Sequence, residues 1–109
     1  MSLMEERSGA LRRATAAAVT EGPGETPPPL RQAVARGEPP EELRVLVEKI
    51  RRHAYRVTDA DLDALRARYS EDELFEIIVA ATVGAAEARL QAGLRALEEA
   101  HAAAQNRKG

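Results

Sequence analysis

The strongest constraint on this chain is the stretch 74–97, LFEIIVAATVGAAEARLQAGLRAL. Between Glu76 and Glu87 lie ten residues without a charge: Ile77, Ile78, Val79, Ala80, Ala81, Thr82, Val83, Gly84, Ala85 and Ala86. At about 3.6 residues per turn, that run is apolar on every side of a helix, and a helix apolar all round calls for burial all round. It falls short of the roughly 20 apolar residues that span a bilayer. The run therefore predicts an all-α fold, a small helical domain wrapped around one long central apolar helix.

A chain of 109 residues suggests a single domain. Domains of this size bury only about two-thirds of their unfolded surface. Aromatics make up 3% of the chain, and much of the apolar content is alanine, so the core is thin. A thin core with an all-round apolar helix predicts burial against a second subunit. The charge balance, 16 basic against 18 acidic residues, is that of an ordinary soluble protein rather than a binder of nucleic acid or membrane surfaces. No cysteine is present, which excludes disulfides, thiolate metal sites and thiol chemistry for these residues. The first residues lack the charged and apolar regions of a secretory signal, so the expected location is cytoplasmic. Few lysines beside many arginines, with abundant alanine, fit a GC-rich bacterial genome.

Three segments are expected: an N-terminal helical arm with a Pro-rich linker over 1–38, a helical domain over 39–104, and a disordered tail over 105–109. Residues 1–21 are rich in alanine and permit a helix, with Leu11, Ala14, Ala18 and Val19 as a weak apolar stripe. A lone helix of this kind is marginal in water, so residues 1–25 are expected to add little to the stability of the core. All six prolines lie between Pro23 and Pro40. The run 22–29, GPGETPPP, reads as a linker; alternatively, Thr26 and the prolines open a short helix over 28–36 that stops at Gly37.

From Pro39 the pattern firms. Prolines and acids at 39–42 suit a helix start, and Leu43, Leu46, Val47, Ile50 and Ala54 follow at helical spacing, predicting a helix over 40–55. Thr58 reads as an N-cap for a short helix over 59–68, with Leu62, Leu65 and Tyr69 inward. Ser70 and Glu73 form a capping box that opens the central helix. Val57 with Leu62, and Tyr69 with Leu74, stand at staple spacing around these caps. Past Glu87 the helix keeps one stripe, Val83, Ala86, Leu90, Leu94 and Leu97. Ala80, Ala81, Gly84, Ala85 and Ala88 form a small-residue face suited to close helix approach, and homo-oligomerisation is expected through the 80–88 region.

The segment VTDADLDALRARYSEDELFEIIVAATVGAAEARLQAGLRAL resembles the C-terminal part of the alkyl hydroperoxidase D-like domain, which carboxymuconolactone decarboxylases share. The matching features are Thr58 to Leu65, Tyr69 to Glu76, the small residues Ala80 to Ala88, and the pair Arg89-Leu90; the likeness covers roughly 41–98. Peroxidase members carry an upstream glutamate and a Cys-x-x-Cys-x3-His motif that this sequence lacks, so no redox residue is carried over. The resemblance implies a fold and a tendency to oligomerise, not an activity.

Candidate chemistry is sparse. His53 and Tyr55 lie near the end of the 40–55 helix, where a basic histidine complements the dipole. Glu76 stands at the rim of the uncharged run. His101 lies in a polar stretch. Arg51, Arg52, Arg56, Arg66 and Arg68 could form a basic patch within a helix-turn-helix, but Glu71, Asp72, Glu73 and Glu76 would face phosphate with like charge. No catalytic, cofactor-binding or metal-ligating residue is assigned. The expected function is a non-redox, oligomerising module that serves assembly or binds a partner protein. The alternatives are a decarboxylase-like enzyme, with His53, Tyr55 and Glu76 meeting at a subunit interface, and DNA binding.

Overall fold

The computed structural model describes residues 3–108, the side chains of 3–8, Arg12, Tyr55 and Lys108 excepted. The described residues are all-α. Helix α1 spans Leu3–Glu21, α2 Pro28–Arg36, α3 Arg44–His53, α4 Asp59–Asp63 and α5 Glu71–Lys108, with short 3-10 turns at Glu41–Leu43 and Ala54–Arg56 flanking α3.

Local chemistry sets most of the boundaries. Ser70 and Glu73 cap α5 reciprocally: the Glu73 amide donates to Ser70 Oγ at 3.1 Å, and the Ser70 amide donates to Glu73 Oε1 at 2.8 Å. At α4, the Asp61 carboxylate accepts from the Thr58 amide at 2.9 Å and from its hydroxyl at 3.1 Å. Regular α-helix stops there at Asp63, short of the expected 68. The chain then tightens into turns, the Leu65 amide donating to Leu62 O and the Arg68 amide to Leu65 O. That tightening still brings Leu65 into the core.

The alternative of a helix over 28–36 is the one that forms. Pro28 and Pro29 occupy its first turn, where a missing amide costs nothing. Gly37, at φ 79°, ends it in the left-handed region. The Gly37 amide donates to Val34 O and the Glu38 amide to Ala33 O, the Schellman pattern that satisfies terminal carbonyls.

The core joins α2, α3 and the first half of α5. Val34 from α2, Leu46, Val47 and Ile50 from α3, and Leu74, Ile77, Ala80 and Ala81 from α5 are buried together with Leu43 and Leu65. Ala54, expected on the inner face of the third helix, is exposed. Two polar ties hold the connections. Lys49 Nζ donates to Asp61 Oδ1 at 2.7 Å, fixing α4 to α3, and the Tyr69 hydroxyl donates to Glu42 at 2.9 Å.

The small-residue face, Ala88 excepted, is covered from within the chain. Ala80, Ala81 and Ala85 are buried, and a Cβ on Gly84 would come within 2.1 Å of Ala35 O in α2. A second subunit was the expected neighbour for this face; the backbone that approaches is α2. Coverage is also one-sided. Thr82 and Ala86, inside the all-round apolar run, and Phe75 just before it, are exposed. The expectation of burial on every side is thus corrected for the single chain: α2 and α3 cover one side of α5, and α1 packs along another.

Beyond Glu87, every described side chain of α5 is exposed. The helix continues to Lys108 rather than fraying at 105. At 1.5 Å per residue its 38 residues span about 57 Å, which accounts for most of the molecule's 61 Å long axis. Although the uncharged run is short, α5 as a whole is long and apolar enough to cross a membrane by length and composition alone.

Two outcomes follow from this packing. Gly84→Ala should lower stability by about 1–3 kcal/mol, because the added methyl meets backbone rather than a movable side chain; thermal unfolding measures it, and an unchanged melting temperature contradicts the close crossing. Asp61 is held below the usual aspartate range by the Lys49 ammonium and then the Thr58 amide. A lowered folded-state pKa gives stability that is present above the unfolded value, about 3.9, and is lost as the pH falls through the folded value. Unfolding of wild type and Asp61→Asn between pH 6 and pH 2.5 should therefore show a gap that closes on acidification; a constant gap contradicts the pairing.

Candidate functional site

The sequence singles out Glu76, and the structure places it at a junction between three helices. Glu76 lies one turn and a half into α5, facing the loop between α1 and α2. Its carboxylate accepts from the Glu25 amide at 2.7 and 3.0 Å and from the Thr26 hydroxyl at 3.4 Å. A Cβ on Gly24 would lie 1.9 Å from Glu76 Oε1, so a side chain there would displace the carboxylate from its place against the loop.

Beneath this loop sits Arg31, only 3% exposed. Its guanidinium donates to Val19 O at 2.8 Å, to Gly22 O and to Thr26 O at 3.3 Å. Its Nε lies 3.9 Å from Glu76 Oε1 and makes no hydrogen bond. The pair is thus an ion pair at long range, supplemented by carbonyls that take up the other guanidinium protons. A buried arginine needs such partners because an uncompensated charge in the interior costs several kcal/mol. These acceptors come from the end of α1 and the loop after it, so the N-terminal arm is tied into the core rather than hanging from it.

Arg31 is the residue that sequence reading missed. Its signal is faint: a charge between Leu30 and Val34 on a nine-residue helix, one turn from the buried Val34.

The proposed acid–base trio is not brought together. Glu76 lines a cleft of about 200 Å³ with Ala18, Val19, Pro23, Arg31, Phe75 and Val79, and His53 is not part of it. His53 ends α3 and is exposed. At that end of α3 the Arg51 carbonyl accepts from Arg89, thirteen residues and about 20 Å along α5 from Glu76. The Tyr55 side chain lies outside the described residues. His101 is exposed on the distal part of α5.

The arginines do not form one patch either. Arg51 donates to Ala35 O at 3.3 Å, Arg66 pairs with Asp63 and Glu71, and Arg68 lies 3.7 Å from Glu42. Among the described residues, no group of three or more His, Asp or Glu side chains converges as metal ligands would.

The exposed surface also holds large apolar side chains. Leu90, Leu94 and Leu97 are 38%, 41% and 68% exposed, and Leu11 of α1 shares a groove with Leu90. Between α1 and α5 runs a groove of about 440 Å³ lined by Leu11, Thr15, Ala16, Val83, Ala86, Glu87 and Leu90. No family model, curated protein or solved structure matches the chain.

The Arg31–Glu76 junction behaves as a structural pair if Glu76→Ala lowers the unfolding free energy by about 3 kcal/mol, with Glu76→Gln costing less because it keeps an acceptor for the Glu25 amide. Chemical denaturation measures both. Equal stability of all three proteins contradicts that role.

Proposed function

We propose that this chain is a non-redox assembly module, an all-α unit that self-associates through the face of α5 left bare by its own core. One observation carries the proposal. The second half of α5 extends from the body with Leu90, Leu94 and Leu97 open to solvent. Scattered apolar residues on a surface need no explanation, but a continuous apolar stripe on a projecting helix marks an interaction surface.

The resemblance to the alkyl hydroperoxidase D-like family supports the same reading, since it carries an expectation of fold and assembly. The order it rests on, a Thr58-capped short helix followed by a Ser70-capped long helix, is the order of α4 and α5. The separation of His53 from Glu76 favours an assembly role over an enzyme with a shared acid–base site. A cytoplasmic location belongs to this proposal. The apolar residues Leu74, Ile77, Ala80 and Ala81 are covered by protein, and Glu87 and Arg89 interrupt the more exposed part of the helix.

Light scattering coupled to size-exclusion chromatography tests the proposal. A particle mass at least twice the 11.8 kDa of one chain, at micromolar concentration, is expected. A monomer at that concentration contradicts it.

A further inference from the structure

We propose that the occupant of the bare α5 face is the α5 helix of a second copy, packed antiparallel about a two-fold axis near residue 95. This inference rests on the self-association proposed above and specifies its geometry.

The distal half of α5 carries an unbroken heptad. Val83, Leu90, Leu97 and Ala104 repeat at one core position, and Ala86, Gly93 and Ala100 repeat at the other. Such a 3-4 spacing is the seam of a coiled coil. Large and small residues alternate along it, and that alternation selects a direction. A parallel, in-register pair would set Gly93 against Gly93 and Ala100 against Ala100, leaving empty layers. An antiparallel pair centred near residue 95 sets Leu97 of one copy against Gly93 of the other, and Leu90 against Ala100. Every leucine then meets a small residue across the seam, the size matching that interior packing requires.

The flanks agree. In the same register, Leu94 packs on its own counterpart along one flank, and Ala96 meets its counterpart along the other, where the backbones can approach more closely. Glu87 of each copy comes level with His101 of the other, a carboxylate acceptor beside an imidazole N–H donor. Arg95 points away from the seam. The groove between α1 and α5 then receives the last turns of the partner helix, whose Ala100 and Ala104 are small enough to enter it.

Gly93 supplies an independent sign. Glycine inside a helix is less favourable than alanine by about 1 kcal/mol. Unlike Gly84, whose Cβ would strike α2, Gly93 has nothing within 4 Å of where its Cβ would stand. Nothing in the single chain requires a glycine there. A leucine from a second helix packed over that position accounts for it.

The chain has no cysteine, so introduced thiols report on single sites. In an oxidised mixture of Ala86→Cys and Ala104→Cys full-length proteins, the antiparallel register yields the mixed disulfide dimer and little of either homodimer. A parallel pair separates those positions by eighteen residues, about 27 Å, and yields no mixed product. Gly93→Leu, measured by analytical ultracentrifugation and circular dichroism, should keep or raise helicity and weaken the dimer at least tenfold. If wild type self-associates but the mixed disulfide is missing, or Gly93→Leu associates as tightly as wild type, the antiparallel register is overturned while the assembly proposal stands. A wild-type monomer overturns both. So does wild-type protein that floats with phosphatidylcholine–phosphatidylglycerol vesicles and sediments as no dimer in solution.

Discussion

The structure depends on the contact between α2 and α5. Gly84 has no side chain, and Ala80, Ala81 and Ala85 carry only methyl groups, so the α2 backbone at Ala35 can lie directly on the central helix. This close crossing brings Val34 into the core and lowers Arg31 to a depth where water cannot serve it. The loop before α2 must then supply acceptors for the guanidinium, and it does so from Gly22 and Thr26, while Val19 at the end of α1 supplies another. Glu76 closes the arrangement from the α5 side by holding the Glu25 amide and facing Arg31. One choice of small residues on α5 thus positions α2, orders the loop behind it and anchors α1.

Features set within three or four residues of chain were legible in the sequence. The capping box of Ser70 and Glu73 needs only two side chains at fixed spacing, and it stands where the pattern puts it. The inner face of α3 and the turn before it, Leu43, Leu46, Val47 and Ile50, follows from helical period alone. What could not be read locally was which surfaces meet. The prolines around the start of α2 read first as a linker and only alternatively as a helix start, and the contact with Gly84 favours the helix. The small face of α5 signals close approach without naming the neighbour, which turned out to be α2 of the same chain. Arg31 was invisible for the same reason, since its acceptors are backbone carbonyls five, nine and twelve residues away, and carbonyls carry no sequence signal.

The same geometry explains why α5 ends bare. Within the described residues, α2, α3 and α1 are the elements that pack on it, and they reach only its first half and one flank. The rest carries the composition of a buried seam on the outside of the molecule. Charged residues in that half, Arg95, Glu98 and Glu99, avoid the leucine stripe, as they would on a helix with one dry face and one wet face. The enzyme alternative finds no comparable support, because His53 sits at the far end of α3 from the junction that holds Glu76.

Amide hydrogen exchange of α5, followed as a function of protein concentration, tests most directly whether this helix is completed by association. A projecting helix with no neighbours opens at little cost, whereas packing against another helix raises the opening free energy toward that of the whole assembly. Amides over 89–105 should exchange slowly at tens of micromolar and become fast on dilution below the dissociation constant, while those over 74–85 stay protected throughout. Exchange over 89–105 that is independent of concentration, whether fast or slow, would contradict the account.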